Sequence, residues 1–119
     1  MRPPAPGVGQ SGFPRKRRLI RRRDFLQAQA RGKKFHTPHF GVCLALKEGD
    51  GPRLGLVVGR KVGPAVQRNR VKRLLREFFR RHQELFPPAD IVLMAKKGAA
   101  QLTYAQVEEE LRPVLLSSL

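Results

Sequence analysis

Arg60-Lys61 and Arg68-Asn69-Arg70-Val71-Lys72-Arg73 are the side chains here with the most evident chemistry. Arginine carries a planar fork of donors that fits phosphate oxygens and can stack on bases. Asn69 can donate and accept at once, so it could bridge a phosphate and a base edge or 2′-OH. Its plainer reading is a solvated residue near a helix start. Nothing comparable points to catalysis. No Ser-His-Asp set, paired carboxylates or phosphate-cradling Gly loop is visible, so no catalytic residue is assigned. His36 and His39 stand apart from any Cys, Asp or Glu, whereas a zinc site needs about four ligands, so no metal is assigned to protein side chains. Cys43 lies in an apolar stretch and is expected to be a small buried residue. A single thiol cannot form an internal disulfide.

The whole chain shares this bias. Its 119 residues hold 25 Lys and Arg against 9 Asp and Glu, a formal charge of +16. A polyanion offsets such self-repulsion, which favours a nucleic acid over a membrane surface or general stickiness. The length suits one domain with one modest core. Trp is absent, so that core should be aliphatic with a few Phe. No apolar run approaches the ~20 residues needed to span a bilayer. Met1 to Gly7 lacks the apolar segment of a secretory signal. A soluble, cytoplasmic protein without a membrane partner is expected.

The elements that would position the basic residues follow from patterning. Residues 1–18 form a Pro/Gly-rich tail that turns basic, expected to be disordered, and 19–119 form the single domain. Arg15-Lys16-Arg17-Arg18 and Arg21-Arg22-Arg23 suit an arm lying on a phosphate backbone. Asp24 can cap a helix that runs to about Arg31 and stops at Gly32, with Phe25, Ala28 and Gln29 on one face. Lys33 to Thr37 can add a short strand. Residues 39–46 and 53–59 alternate with period 2 around the turn Glu48-Gly49-Asp50-Gly51-Pro52, which predicts an antiparallel hairpin. Pro64 suits the first turn of a helix extending to about Phe86, where Pro87-Pro88 stops it. Ile91 to Ala95 is continuously apolar, as in a strand buried on both faces. Thr103 and Gln106 fit a capping box for a last helix with Val107, Leu111 and Leu115 inward and Pro113 as a possible kink or early end. The order α-β-β-β-α-β-α is a mixed α+β domain, a small sheet covered by helices. If the strands flanking the long helix are parallel neighbours, their crossover is by default right-handed.

At ~100° per residue, the long helix places Val71, Leu74 and Phe78 on one side. Asn69, Lys72, Arg73, Arg76 and Arg80 fall opposite, flanked by Arg68 and Arg70. Lys72/Arg76 and Arg76/Arg80 are like-charged i,i+4 pairs, each costing a few tenths of a kcal/mol unless an anion lies nearby. A merely solvated face would mix signs. Arg60 and Lys61 add charge beside the helix N-terminus.

The stretch Gly59-Arg60-Lys61-Val62-Gly63-Pro64-Ala65-Val66-Gln67-Arg68-Asn69-Arg70-Val71-Lys72-Arg73-Leu74-Leu75-Arg76-Glu77 resembles the signature of the bacterial ribonuclease P protein family around its Arg-Asn-Arg motif. Asp24-Phe25, the strand from Phe40, Asp90-Ile91-Val92-Leu93, and Lys97 with Leu102-Thr103-Tyr104 are similar too, so the resemblance spans about residues 17–116. It implies a four-stranded sheet with helices, similar to one domain of a ribosomal protein, with an unusual left-handed crossover that would overrule the default. It implies the non-catalytic protein subunit of an endoribonuclease that trims 5′ leaders from precursor tRNA. The catalytic RNA subunit would hold the Mg²⁺, and that RNA and precursor tRNA would be the partners, with no protein oligomer expected. Carried over, the residues meeting the catalytic RNA are Arg60, Lys61, Arg68, Asn69, Arg70, Lys72, Arg73 and Arg76; Arg80 joins them from the helix pattern. A cleft between sheet and first helix would meet the leader, and Phe25 and Phe40 match its aromatics; core packing is the other reading of both. Gln29 and Cys43 stand where some members carry aromatics. Base stacking is worth ~1–3 kcal/mol per base, so this departure implies a weaker stacking surface.

Overall fold

The computed structural model describes residue 18 and residues 22–47 and 51–118. Most of the expected tail and arm lies outside them. The order is α1 (Arg22–Arg31), β1 (Lys33–His36), β2 (Phe40–Leu46), β3 (Arg53–Val57), α2 (Ala65–Arg81), β4 (Ala89–Ala95) and α3 (Tyr104–Ser118), with single 3₁₀ turns between some of them. This is the expected α-β-β-β-α-β-α succession around one four-stranded sheet.

The hairpin between the second and third strands is not there. The sheet order is β1-β2-β4-β3. β4 lies between β2, to which it is antiparallel, and β3, to which it is parallel. The physical reason lies in β4 itself. Ile91, Val92 and Leu93 are apolar on both faces and almost fully buried, which only a central strand provides. The shorter β3, with Val57 39 % exposed, takes an outer position. A turn-rich connection is compatible with a hairpin but does not enforce one. The hairpin that does form is β1–β2, with Lys33 opposite Leu44 and His36 opposite Gly41. Its turn is closed where Thr37 N–H donates to the Phe40 carbonyl at 2.8 Å and Phe40 N–H donates to Thr37 Oγ1 at 3.0 Å. β3, α2 and β4 form a crossover between parallel neighbouring strands.

Strand alternation divides the residues into two layers. Phe40, Val42 and Leu44 of β2, Leu54 of β3, and Ile91 and Leu93 of β4 face α2 and α3. They pack there with Val71, Leu75, Phe78, Phe79, Val107, Leu111 and Leu115. The opposite face carries a smaller cluster, Ala28, Cys43 and Val92, with Phe25, Ala45 and Met94 against it. α1 covers that face.

Helix ends explain the remaining departures. α1 starts two residues before Asp24, which sits in its first turn and not at its cap. At its other end Gly32 N–H donates to the Ala28 carbonyl at 2.8 Å. A Cβ on Gly32 would lie 2.7 Å from that oxygen and 2.8 Å from Cys43 Sγ, so the close approach demands glycine. α2 stops at Arg81, short of Phe86, because His82 leaves the helical region at φ −125°, ψ 30°. Its ring nitrogens lie 3.0 Å from the Phe78 carbonyl and 2.8 Å from Glu108. At the start of α3, Thr103 N–H donates to Gln106 Oε1 at 2.9 Å and Gln106 N–H to Thr103 Oγ1 at 3.2 Å, the reciprocal box read from the sequence. Pro113 does not shorten α3, which continues to Ser118. Pro113 and Glu109, whose carbonyl loses its helical donor, are both exposed, so water can serve that carbonyl. Among the described residues no helix is long and apolar enough to cross a membrane.

Candidate nucleic-acid interface

The approach to α2 is a 3₁₀ turn, Arg60–Val62, anchored by buried Val62. Anchoring the last, apolar residue of the turn leaves Arg60 and Lys61 exposed. Gly63 then adopts φ +144°, a backbone conformation that favours glycine, while the nearest atom to a Cβ there is only the movable end of exposed Gln67. Pro64 occupies the N-cap rather than the first helical position, with φ −64° and ψ 169°. No acidic residue lies in the first turn, so the positive end of the helix dipole is left uncompensated by carboxylates there.

Along α2 the buried stripe is Val71, Leu75, Phe78 and Phe79, with Leu74 half-buried beside it. Asn69, Arg73, Arg76 and Arg80 are exposed; Arg68, Arg70 and Lys72 are half-buried at the flanks. The face read from the sequence therefore exists, but its members are not equivalent. Arg70 Nη1 donates to the carbonyls of Ala100 at 3.1 Å and Leu102 at 2.9 Å. It ties α2 to the turn ahead of α3. Arg68 Nε is buried without a partner among the described residues. Arg80 is engaged by Glu77 through two bonds, at 3.1 and 2.6 Å, and Arg81 binds the same carboxylate at 2.7 Å. The Arg80 bond, with Arg81's, holds the Glu77 carboxyl below its usual range. The expected Arg76/Arg80 repulsion is thereby offset at the C-terminal end of α2. The positive charge not engaged by Glu77 gathers toward Arg60, Lys61, Arg73 and Arg76, with the neutral Asn69 exposed among them.

On the other face of the sheet lies a groove of 470 Å³ lined by Arg22, Phe25, Leu26, Gln29 and Val57. α1 forms one wall because Arg22, Leu26 and Gln29 recur at helical spacing. Its N-terminal end is fixed to the sheet through Arg53, which donates from Nε and Nη2 to the two Asp90 oxygens at 2.9 and 3.0 Å and approaches Asp24 at 3.8 Å. Lys47 adds a 3.2 Å contact to Asp90. Burial alone would raise the Asp90 pKa, but the Arg53 and Lys47 bonds outweigh it and hold the carboxyl low. Cys43 is buried with its thiol donating to the Ala28 carbonyl at 2.9 Å, and burial pushes its pKa up. This matches a structural cysteine. Gln29 Nε2 reaches Met94 Sδ at 4.0 Å, a weak contact that leaves most of its amide to the groove.

Phe25 lies in this groove; Phe40 does not. Phe40 is 0 % exposed and packs in the larger core with α2 and α3. The pairing of Phe25 with Phe40 is therefore corrected. Alternation sends Phe40 to the same face as Val42 and Leu44, while Gly41, Cys43 and Ala45 face α1. Sequence reasoning missed Arg22, Leu26 and Val57. The i, i+4, i+7 spacing of Arg22, Leu26 and Gln29 could have revealed two of the wall residues, but nothing local marks Val57 as their neighbour.

The sequence model of the Ribonuclease P family matches residues 13–118, nearly the whole described domain and both surfaces. The chain belongs to the bacterial ribonuclease P protein family. Among curated members, the ribonuclease P protein component of Geobacter sp. (strain M21) is 52 % identical over 101 residues, covering 85 % of this chain and 87 % of its own. That of Desulfovibrio desulfuricans is 51 % identical over 108 residues, covering 87 % and 83 %. The fold agrees. The RNase P protein of Staphylococcus aureus superposes with a TM-score of 0.78 at 32 % identity over 86 % of this chain and 94 % of that one. The RNase P protein of Thermotoga maritima gives 0.74 at 38 % identity, over 82 % and 94 %. The four-stranded sheet and the basic α2 are thus those of a ribonuclease P protein.

Proposed function

We propose that this chain is the protein subunit of ribonuclease P, a ribonucleoprotein that removes 5′ leaders from precursor tRNA. The observation that carries the reading is the exposed cationic face of α2, backed by a fully buried apolar stripe, in a chain of this family. Arg60, Lys61, Arg68, Asn69, Lys72, Arg73 and Arg76 dock the catalytic RNA through its phosphates. Arg70 holds α2 against the turn ahead of α3. The groove of Phe25, Leu26, Gln29 and Val57, with Arg22 at its wall, accepts the leader. A single half-buried aromatic there gives less stacking than an aromatic-lined cleft, and the Gln29 amide supplies hydrogen bonding in its place. Magnesium ions held by the RNA supply the hydrolytic chemistry. The protein's cations neutralise and position, and each phosphate contact makes binding weaker in salt.

The test is reconstitution. Purified protein mixed with the catalytic RNA should restore leader cleavage at low Mg²⁺ and have no nuclease activity alone. No gain in cleavage refutes the reading, as does cleavage without RNA.

A further inference from the structure

On the α1 side of the sheet the floor of the groove runs further than its walls. The groove follows α1 from Arg22 to Gln29 and meets the sheet at Val57. Val57 pairs with Met94, Met94 with Gly41, and Gly41 with His36, one residue from each strand. Residues directly opposite in a ladder share a face, so these four form a row across the sheet. At ~4.8 Å per strand the row is about 14 Å across. Met94 packs against the Ala28, Cys43 and Val92 cluster beneath α1, which fixes the row to that side. Its members touch in sequence. Gln29 Nε2 lies 4.0 Å from Met94 Sδ. Gly41 has no side chain, and the point its Cβ would occupy lies 3.2 Å from Met94 Cε and 3.8 Å from His36 Nδ1. The methionine end thus fills the gap that Gly41 leaves and borders the imidazole. His36 is exposed, and among the described residues no hydrogen bond or ion pair engages its ring. Lys34, two residues earlier on the same face, is exposed too, and Arg22 stands at the groove end. Asp24 and Asp90, by the N-terminal end of α1, are already met by Arg53 and Lys47. The path carries a cation at each end, an apolar bed between them and a free aromatic ring on β1, the combination that holds a single nucleic-acid strand.

We propose that the His36 ring, with the Met94 thioether beside it, is a second base platform for the leader, taking a nucleobase different from the one at Phe25. Imidazole offers a π face to any base, and its ring nitrogens can add a hydrogen bond to a base edge or 2′-OH. The thioether is polarizable and packs well against aromatic edges. The platform rests on the reading of the groove as the leader's path and extends that path from α1 and β3 across the sheet to β1.

The test uses the full chain reconstituted with the transcribed catalytic RNA, and precursor tRNAs whose leaders are absent, full-length, or full-length with one abasic nucleotide. His36→Ala should weaken binding of the full-length-leader precursor about fivefold, the low end of what one stacked base contributes, and leave leaderless tRNA unchanged. His36→Phe keeps a ring and should bind like wild type. One abasic position should remove the difference between His36→Ala and wild type, and a different one should do so for Phe25→Ala. The salt slope should stay at the wild-type value, since no phosphate contact is lost. Equal losses with and without a leader, a His36→Phe variant as weak as His36→Ala, or one abasic position answering to both residues would overturn the platform. Melting temperatures check folding; should His36→Ala melt early, His36→Thr, which suits an outer strand, takes its place. Unchanged leader binding in His36→Ala alongside a loss in Phe25→Ala sinks the platform alone. A wild-type complex that does not distinguish leader-bearing from leaderless tRNA overturns the platform and the proposed leader groove together.

Discussion

The Arg-Asn-Arg segment divides its labour, and Arg70 is the place to test that. Arg70→Gln keeps a polar side chain but is too short to reach both the Ala100 and Leu102 carbonyls. A hydrogen bond from a charged donor contributes about 1.5–3 kcal/mol. The two bonds here share one nitrogen on a half-buried side chain, which argues for about 2 kcal/mol in total rather than twice the maximum. In a domain of this size that lowers the melting temperature by roughly 10 °C. Arg73→Gln is the counterpart, because Arg73 is exposed. It should leave stability within about 0.5 kcal/mol of wild type and reduce the slope of log affinity against log salt by about 0.7–0.9. Thermal melting followed by circular dichroism reads the first effect, and RNA titrations at several salt concentrations read the second. If Arg70→Gln melts with wild type and lowers the salt slope as Arg73→Gln does, Arg70 binds phosphate and the division is wrong.

Three further outcomes follow from other contacts. Glu110 accepts from His39 N–H at 2.7 Å and His39 Nδ1 at 2.8 Å, and also from the Thr37 hydroxyl, tying α3 to the β1–β2 turn. Burial opposes its ionisation, but these bonds outweigh it and lower its pKa, so its stabilisation is complete above the unfolded carboxylate value and is lost as pH falls through the lower folded one. Glu110→Ala should cost about 2 kcal/mol in urea denaturation at neutral pH and progressively less in acid; a pH-independent deficit would refute the linkage. Gly32→Ala should destabilise by about 1–3 kcal/mol, since its Cβ would crowd Ala28 O and Cys43 Sγ; an unaltered denaturation midpoint would count against the tight α1–β2 approach. Phe40→Ala should lower stability by about 3–5 kcal/mol, whereas Phe25→Ala should chiefly weaken binding of leader-bearing over leaderless precursor tRNA; the reverse pattern would restore Phe40 to the leader surface.

Legibility in the sequence tracked the range of the interactions involved. The capping box at Thr103 and Gln106, the stop at Gly32 and the stripe of Val107, Leu111 and Leu115 are local, and each was found where its pattern placed it. The end of α2 was misjudged because it is set by His82, whose ring reaches across to Glu108 on α3. Pro113 does not end α3 because the residue whose carbonyl it strands, Glu109, is exposed.

The sequence by itself determined the succession of elements and the existence of a cationic α2 face, since period, caps and charge act within a few residues. Only the tertiary structure decided what those features mean. It placed β4 between β2 and β3, because a strand apolar on both faces is most stable at the centre of a sheet. That choice sent Phe40 into the core and left Phe25 at the groove. It turned Arg70 inward, where two main-chain carbonyls present themselves, and tied α2 to the turn ahead of α3. Each outcome depends on groups distant in sequence meeting in space, where neither helical nor strand periodicity carries information.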